Sequence, residues 1–429
     1  MTTLQAPPLS PTVTTRPIDL VCEHCGEPAG ATATAVCAEC LGPLVPRYDP
    51  ERRLPGAAEI AGREGSLWRY REWLPFEGAP ALSRDTGWTP LIDAPALAAR
   101  LGVERAWIKN DTVCHPSLSF KDRVVSAAIN AAHGLGCEVF ACASTGNLGN
   151  AVAAHAARAG LPAVVLVPAD LEPSKIRATT VHGAHLIRIL GTYDDVNRLA
   201  VQLADRYGWG VANVNLRPYY AEGSKTVAFE IAEQLGWRLP SAVIAPMAGG
   251  SLLSKLYKGF NEFLDAGLVE GPLPRLAGAQ ATGCAPIARA FERGSVTVEP
   301  VVPATIARSL AIGAPADGTR ALAAIRGTGG TAAHVSDEQV VEGIRILAET
   351  TGVFAESAGG VTAAVALALA ERGWFAPEDE VVLTITGHGL KTPDLVAVNE
   401  AATAPVRPRL KEVADFAKTL IDRTAQGAF

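Results

Sequence analysis

The sequence lacks features that mark several classes of protein. No apolar run reaches the roughly 18 residues that a membrane-spanning helix needs, and no basic run offers a surface for nucleic acid. The first residues do not combine a basic start with an apolar stretch, so they do not predict a secretory signal. With a net charge of −6, we expect a cytoplasmic protein that binds neither membrane nor nucleic acid. Local cations would have to hold any charged substrate.

Composition and the alternation of predicted strands with helices indicate a large α/β protein. The 429 residues are 48% hydrophobic and 19% charged, as in a globular chain with a substantial core. Residues 1–18, rich in proline and threonine, predict a disordered arm, and residues 19–50 predict a small separate module. From about residue 91 apolar strands alternate with helices, which predicts parallel sheet covered on both faces. Ligands of such sheets bind beyond the carboxyl ends of the strands.

The apolar pattern also places individual elements. Ser336 and Gln339 form a capping-box pattern at the start of one helix, and residues 66–75 suggest a short helix. Strands are predicted at 105–111, 138–144, 162–169, 184–190, 241–247, 275–281 and 380–387. Helices are predicted at 121–136, 149–160, 194–208, 251–267 and 336–352.

A lysine opens one predicted helix, within residues 115–123 (His-Pro-Ser-Leu-Ser-Phe-Lys-Asp-Arg). The positive end of a helix dipole disfavours a protonated amine, and a neutral amine is what a Schiff-base lysine needs. Taken alone, Lys121 fits better as a solvent-exposed lysine that merely begins a helix.

Residues 142–150 (Cys-Ala-Ser-Thr-Gly-Asn-Leu-Gly-Asn) join a predicted strand to a helix. Small residues let backbone N–H groups approach an anion such as a carboxylate, and an asparagine can bond a ring oxygen. An ordinary turn with a helix cap is the alternative.

Residues 247–252 (Met-Ala-Gly-Gly-Ser-Leu) occupy another junction between a strand and a helix. Glycines before a helix N-terminus make a phosphate cradle, although neither the Walker ending nor the dinucleotide glycine pattern is present. A tight turn is the alternative.

Residues 386–391 (Thr-Gly-His-Gly-Leu-Lys) follow the last predicted strand. The threonine hydroxyl could hydrogen-bond an unprotonated ring nitrogen. A glycine-flanked loop with a packed histidine is the alternative.

The four segments are more informative together than singly. A lysine for an aldehyde, an asparagine, a phosphate cradle and a hydroxyl for a pyridine nitrogen are the groups that hold pyridoxal phosphate (PLP). From about residue 20 to about residue 400 the chain resembles the threonine synthases, in the β-family (fold type II) of PLP enzymes. Residues 119–123 (Ser-Phe-Lys-Asp-Arg) are specific to this family and its nearest relatives, and residues 386–391 are more specific to threonine synthases.

The resemblance implies two interleaved α/β domains with parallel or mixed sheets, preceded by a four-cysteine zinc-ribbon module. The catalytic core would span 51–429, with a smaller subdomain at about 135–210 inserted in the larger one. A homodimer is also implied.

The resemblance implies a role for each cofactor residue. Lys121 forms the imine with PLP, Phe120 packs beside it, Asn147 bonds the ring oxygen and Thr386 faces the pyridine nitrogen. The PLP phosphate is held by Ala248, Gly249, Gly250, Ser251 and Leu252. The chain departs from many family members at 116–118, 249–250 and 356–359 (Glu-Ser-Ala-Gly), mostly keeping small or backbone-providing residues.

The implied substrate is O-phosphohomoserine, a phosphorylated amino acid. Its carboxylate would meet the turn of Ser144, Thr145 and Gly146. Lys175 and Arg217 are candidates for its phosphate, although many family members have asparagine at the position of Arg217. Both could instead be solvated surface cations.

The implied reaction is that of a lyase in threonine biosynthesis. Phosphate leaves by γ-elimination, water adds at the β carbon, and Lys121 moves protons. Two alternatives stay open. A related fold type II enzyme would act on phosphoserine, serine or threonine by β-replacement or deamination. A non-catalytic paralogue would use the cysteine module to bind a partner.

Four of the eight cysteines form two Cys-x-x-Cys pairs at ribbon-like spacing, namely Cys22, Cys25, Cys37 and Cys40. Four sulfurs in this pattern predict a closed, structural zinc site. The spacing between the pairs is short for a zinc ribbon, so an empty vestige, unligated buried thiols or a redox role are alternatives. The other four cysteines are expected to be small buried residues in a reducing cytoplasm.

Overall fold

The computed structural model describes residues 15–144, 146–169, 173–191, 193–397, 405–411 and 413–414, without the side chains of 173, 174, 193 and 194. The chain divides into two compact units, Met1–Pro393 and Asp394–Phe429. Most of the predicted N-terminal arm (1–14) and Thr145 lie outside the described residues. Among the described residues, every helix is too short or too polar to cross a membrane.

The strands of the described residues are numbered in chain order. The first seven are β1 (Arg16–Pro17), β2 (Leu20–Cys22), β3 (Pro28–Gly30), β4 (Leu44–Pro46), β5 (Phe76–Glu77), β6 (Leu91–Asp93) and β7 (Arg105–Asn110). The others are β8 (Phe140–Ala143), β9 (Ala163–Pro168), β10 (His185–Ile189), β11 (Gly210–Val211), β12 (Ala242–Pro246), β13 (Arg275–Ala281), β14 (Thr331–Val335) and β15 (Glu380–Ile385).

The α-helices of the described residues are numbered in the same way. They begin with α1 (Ala57–Ala61), α2 (Pro95–Leu101), α3 (Lys121–Gly134), α4 (Asn147–Ala159), α5 (Pro173–Thr180), α6 (Tyr193–Tyr207) and α7 (Arg217–Glu222). They continue with α8 (Thr226–Gln234), α9 (Ser251–Asp265), α10 (Pro286–Glu292), α11 (Gly318–Gly327), α12 (Asp337–Thr351) and α13 (Ser357–Glu371). Short 3-10 helices lie at Leu67–Trp73, Asp111–Val113, Gly223–Lys225, Arg308–Leu310, Gly389–Lys391 and Pro393–Leu395.

A six-stranded sheet forms the centre of the first unit. Its order is β14-β13-β12-β15-β7-β6, and every pair is parallel except the edge strand β6 against β7. Its strand residues are mostly buried, between two hydrophobic clusters. The prediction of parallel sheet covered on both faces is confirmed, and the carboxyl ends of β7, β12 and β15 meet at one edge.

A second sheet of four parallel strands lies between residues 140 and 211, in the order β10-β9-β8-β11. Helices α4, α5 and α6 alternate with its strands along the chain. Asn147 and Glu356 join this sheet to the six-stranded one, because α4 follows β8 and Asn147 donates a hydrogen bond to Glu356.

Local predictions of helix ends can be compared with the structure. The Ser336 hydroxyl accepts a hydrogen bond from the Gln339 N–H, and the Gln339 side chain accepts one from the Ser336 N–H, so the capping box is confirmed. The helix expected at 66–75 is a 3-10 helix at Leu67–Trp73. Three of the four scattered cysteines are buried, whereas Cys137 is half-buried.

The cysteine pairs belong to a three-stranded antiparallel sheet of β2, β3 and β4, which lies within residues 20–46. Tyr219 on α7 fastens this module to the core, because its hydroxyl donates to the Ile18 carbonyl (3.1 Å) and accepts from the Thr32 N–H (3.3 Å). A second attachment runs from the Tyr48 hydroxyl to the Glu222 carboxylate (2.7 Å).

Four buried charges connect β7, α3 and α8. The Arg123 guanidinium pairs with Asp111 (Nε–Oδ2 2.7 Å) and with Glu230, and Lys109 Nζ lies 2.5 Å from Glu230 Oε2. Two cations and two carboxylates compensate one another away from water, as buried charges require. Burial alone would raise the pKa of Glu230, but Arg123 and Lys109 outweigh burial and lower it to about 2.

Replacement of Glu230 by glutamine should destabilise the fold by about 3–5 kcal/mol at neutral pH, because two buried cations would then share one carboxylate. Since the pKa of Glu230 is lowered in the folded state, its contribution is full above its ordinary value of 4.5 and is lost as pH falls towards about 2. Urea unfolding of cofactor-saturated protein should therefore show a difference from wild type that shrinks below pH 4.5. Glu349→Gln, at an exposed site, is the control, and equal losses in both variants would contradict the prediction.

Candidate active site

The lysine segment and the segment after β15 lie side by side. The Phe120 N–H donates to the Thr386 carbonyl (2.8 Å), and the His388 N–H donates to the Leu118 carbonyl (3.2 Å). Because β7 and β15 are adjacent parallel strands, the segments that follow them leave the sheet at the same edge. The segments that carry Lys121 and Thr386 therefore lie next to each other.

The neighbours of Lys121 fix where its side chain begins. Asp122 accepts hydrogen bonds from the backbone N–H groups of Ser117 (3.0 Å) and Ser119 (3.3 Å), and its other oxygen lies 3.2 Å from His155 Nε2 on α4. The Lys121 side chain itself is half-buried. Its amine lies 3.4 Å from the Tyr220 hydroxyl and 5.3 Å from the centre of the Phe120 ring.

Asn147, Glu356 and Gly387 form a second contact region in the site. Asn147 Nδ2 donates to Glu356 Oε1 (2.8 Å), and the Glu356 N–H donates to the Gly387 carbonyl (3.0 Å). A Cβ atom at Gly387 would lie 2.5 Å from Glu356 Oε1, so a larger residue here would force the Glu356 carboxylate to move. Asn147, predicted to bond the cofactor ring oxygen, thus lies beside the segment that carries Thr386.

Sequence reasoning gave Glu356 no functional role. Its carboxyl is buried, and burial raises its pKa, while the Asn147 hydrogen bond and the charges of Lys391, Lys121 and Lys175 act in the opposite direction. Three lysines therefore act electrostatically on one buried carboxyl, a setting that suits an anionic ligand. Only the departure at 356–359 drew attention to this position in the sequence.

Lys391 was quoted within a motif but not predicted as a site residue. Its amine donates to Asn150 Oδ1 (3.4 Å), and burial lowers its pKa while the charge of Glu356 opposes that effect. A buried cation with one long hydrogen bond suits a site that receives an anion.

The phosphate-cradle candidate lies between β12 and α9. Gly250 precedes α9 without a side-chain cap on the helix, and its φ of 88° lies in the left-handed region. A Cβ atom there would lie 2.8 Å from the Asp317 carbonyl oxygen, whereas a Cβ atom on Gly249 would meet nothing within 4 Å. Ala248 and Ser251 are half-buried, and Leu252 is buried.

The predicted substrate residues lie in different surroundings. The Ser144 hydroxyl accepts a hydrogen bond from the Gly146 N–H (3.3 Å), and Lys175 is close enough to Glu356 to affect its pKa. Arg217 pairs with Asp317 (2.6 Å), whose own N–H donates to the Gly249 carbonyl (2.9 Å). The structure therefore brings Lys175 to the buried carboxyl, and Arg217 to the residue that supports the phosphate cradle.

The residues present fit PLP. An uncapped helix start suits its phosphate, and a half-buried amine suits its aldehyde. The buried hydroxyls of Ser117 and Ser119, close to Lys121 in the chain, have no hydrogen-bond partner among the described residues. Buried polar atoms of this kind normally have a partner, and a ligand would supply one.

The four cysteines of the N-terminal module fit a zinc ion. Their sulfurs all lie within 4.8 Å of one another, with separations of 3.4 Å for Cys22–Cys40 and 3.7 Å for Cys25–Cys37. A tetrahedron with Zn–S distances of about 2.3 Å has sulfur separations of roughly 3.8 Å. The backbone N–H of Cys25 is the main cause that lowers the pKa of Cys22 to about 6, whereas hydrogen bonds between the sulfurs raise the pKa of Cys25 to about 12 and that of Cys40, so metal binding would displace protons from these two.

A chain of ionic contacts runs from the cysteine module to the phosphate cradle. Glu23, between two of the cysteines, pairs with Arg320 on α11, and Arg320 pairs with Asp317 (2.9 Å). Asp317 in turn donates its N–H to the Gly249 carbonyl. The cysteine module and the cradle therefore share a supporting residue.

Comparison with known proteins gives consistent findings. Residues 82–387 match the family model described as "Pyridoxal-phosphate dependent enzyme". The chain is 36% identical to a threonine synthase of Methanocaldococcus jannaschii, over 90% of this chain and 95% of that protein. It is 35% identical to those of Methanosarcina acetivorans (88% and 93% covered) and Mycobacterium leprae (80% and 92% covered).

Solved structures share the fold at lower identity. Maize serine racemase matches with a TM-score of 0.60 at 21% identity, covering 72% of this chain and 90% of that one. Threonine deaminase isoform 2 from Solanum lycopersicum matches with a TM-score of 0.61 at 22% identity, covering 72% and 81%. These likenesses confirm the predicted fold type II architecture.

The glycines of the cradle should respond differently to alanine. Gly249→Ala should leave the unfolding midpoint of the cofactor-free protein unchanged but raise the dissociation constant of PLP about tenfold or more, through crowding of the ligand. Gly250→Ala should lower the unfolding midpoint itself, because alanine is strained at this φ and would contact Asp317. Fluorescence titration with PLP and urea unfolding measure the two effects. Full PLP affinity in Gly249→Ala would contradict the assignment of the cradle.

Zinc should be present at about one ion per chain when the protein is purified without chelators. Cys37→Ser should lose the metal and unfold at lower urea concentration, because a closed site with three sulfurs left binds zinc poorly. Elemental analysis by mass spectrometry measures the metal, and Cys137→Ser, outside the cluster, is the matched control. Zinc retained in Cys37→Ser, or absent from wild type, would contradict the prediction.

Proposed function

Because the chain belongs to the threonine synthase family of pyridoxal-phosphate-dependent enzymes, we propose that it converts O-phospho-L-homoserine and water to L-threonine and phosphate. The proposal is carried by two contacts: the Phe120 N–H, beside Lys121, donates to the Thr386 carbonyl, and Asn147 bonds Glu356, whose N–H donates to the Gly387 carbonyl. The likeness to threonine synthases over 80–90% of the chain supports the choice of reaction.

PLP, when bound, supplies an electron sink for the carbanion that forms at the substrate α carbon. Lys121 Nζ would hold the cofactor before substrate arrives, then take the α proton and return it at the γ carbon once phosphate has left there. The departing phosphate would carry off the β proton, and water would supply the β hydroxyl and the proton that returns to the α carbon. Asn147 bonds the ring oxygen, and the Thr386 hydroxyl faces the ring nitrogen. Residues 248–252 hold the cofactor phosphate through their N–H groups, and Phe120 lies beside the amine.

Substrate binding relies on positive charge that the site concentrates around Glu356. Lys175 and Lys391 both affect the pKa of Glu356, so they lie near enough to the reacting groups to attract the substrate phosphate. The turn of Ser144, Thr145 and Gly146 takes the substrate carboxylate. Arg217 stays a second candidate for the phosphate, with its charge partly balanced by Asp317.

The setting of the enzyme follows from charge and cysteine chemistry. We propose a cytoplasmic enzyme that does not bind nucleic acid, since the chain is acidic and its eight cysteines form no disulfide. The resemblance to threonine synthases supports a homodimer. Within it, residues 19–50 form the zinc module and 51–429 the catalytic core, with the smaller subdomain at about 135–210.

Purified, PLP-loaded protein incubated with O-phosphohomoserine should release phosphate and threonine in equal amounts. Lys121→Ala should lose the visible absorbance of the lysine–cofactor imine and reduce the rate at least about a thousandfold, because it loses both the covalent link and the base. Coupled phosphate detection and amino-acid chromatography follow the products. Visible cofactor absorbance without turnover would contradict the proposed substrate and direct the search to phosphoserine, serine and threonine.

A further inference from the structure

Tyr220 is the one hydrogen-bond acceptor that the described residues offer to the Lys121 amine. Its side chain is 7% exposed, and its hydroxyl lies 3.4 Å from Lys121 Nζ. The predicted site residues did not include it, because nothing in the sequence near residue 220 indicates contact with a lysine a hundred positions earlier. The contact is long for a hydrogen bond, as catalytic contacts often are before substrate binds.

The helix that carries Tyr220 is held on both sides. Tyr219 is bonded to the cysteine module, as described above, and the buried carboxylate of Glu222 pairs with Lys225 (2.7 Å), Lys255 and Lys258 (2.9 Å). Anchors at the residue before and two residues after Tyr220 restrict where its hydroxyl can lie. The packing of α7 therefore fixes the Tyr220 hydroxyl in contact with Lys121.

We propose that Tyr220 is a catalytic residue that accepts a hydrogen bond from the Lys121 amine whenever the amine is not bonded to the cofactor. The proposal rests on the proposed function, in which Lys121 is freed by substrate and then carries protons. When the α proton moves from carbon to Nζ, the amine becomes an ammonium, and an acceptor stabilises that charged form. When Nζ gives the proton to the γ carbon, the neutral amine returns, and Tyr220 stays protonated throughout.

Other groups near Lys121 are already engaged. Glu356 accepts from Asn147 and faces Lys391 and Lys175 as well as Lys121. Asp122 accepts two backbone hydrogen bonds and contacts His155. The Tyr220 hydroxyl can accept a hydrogen bond from the amine, and so orient it, without forming an ion pair with the ammonium.

Tyr220→Phe tests the proposal, with Tyr207→Phe, at an exposed tyrosine on α6, as the control. Tyr220→Phe should lower kcat about 10- to 100-fold, as the loss of a hydrogen bond to a charged group predicts, with little change in KM or in bound PLP. In Tyr220→Phe, the acid limb of the plot of kcat against pH should move to lower pH, because an ammonium without its acceptor gives up its proton more readily. Tyr207→Phe should change neither kcat nor the pH profile.

A second readout does not need the proposed substrate. Cofactor-free protein captures PLP through the neutral Lys121 amine, so the rate of capture in Tyr220→Phe should reach its plateau at lower pH than in wild type. If Tyr220→Phe shows this shift but the wild-type protein does not turn over O-phosphohomoserine, the role of Tyr220 stands and only the proposed substrate is wrong. Unchanged pH profiles for capture and for kcat would overturn the role of Tyr220, as would a variant that loses PLP affinity without such a shift.

Discussion

The buried charges beside Lys121 set the geometry on which the site depends. Asp122 closes the turn before the lysine and reaches His155 on the helix that begins with Asn147. Arg123 joins Asp111 and Glu230 in the interior between β7 and α8. The buried side chains of Asp122 and Arg123 cannot leave their partners without becoming unpaired charges away from water. They therefore fix the position of the Lys121 backbone. Of these three consecutive residues, Lys121 supplies the reactive amine, and Asp122 and Arg123 fix its position.

Much of the fold could be predicted because the apolar pattern is strong and local. Buried parallel strands give continuous apolar runs, so β13 was placed at its observed ends and the other six predicted strands within two residues, whereas β14 and the short strands β1–β6 and β11 were not predicted. The helix after Ser336 was recognised from its cap, which involves residues only three positions apart. The motif segments lie at strand ends, as the general behaviour of such sheets predicts.

The remaining site residues could not be found in this way, because their roles come from contacts between distant parts of the chain. Glu356 begins a helix and carries no local sign that it meets Asn147 and three lysines. Tyr220 resembles any buried aromatic residue until α7 is packed against α3. Arg217 was predicted from its charge and from the family resemblance, and only the structure places it opposite Asp317. Charge and residue type indicate chemistry, but packing decides which groups meet.

The pairing of β7 with β15 also bears on the order of events during synthesis. Lys121 follows β7 in the first third of the chain. Thr386, whose carbonyl accepts the hydrogen bond from Phe120, follows β15 and is synthesised only near the end of the chain. The cysteine pairs, in contrast, are complete within the first 40 residues and close over short sequence separations. Metal can therefore be taken up early by the nascent chain, whereas the vitamin-derived cofactor has no finished pocket until almost the whole polypeptide exists.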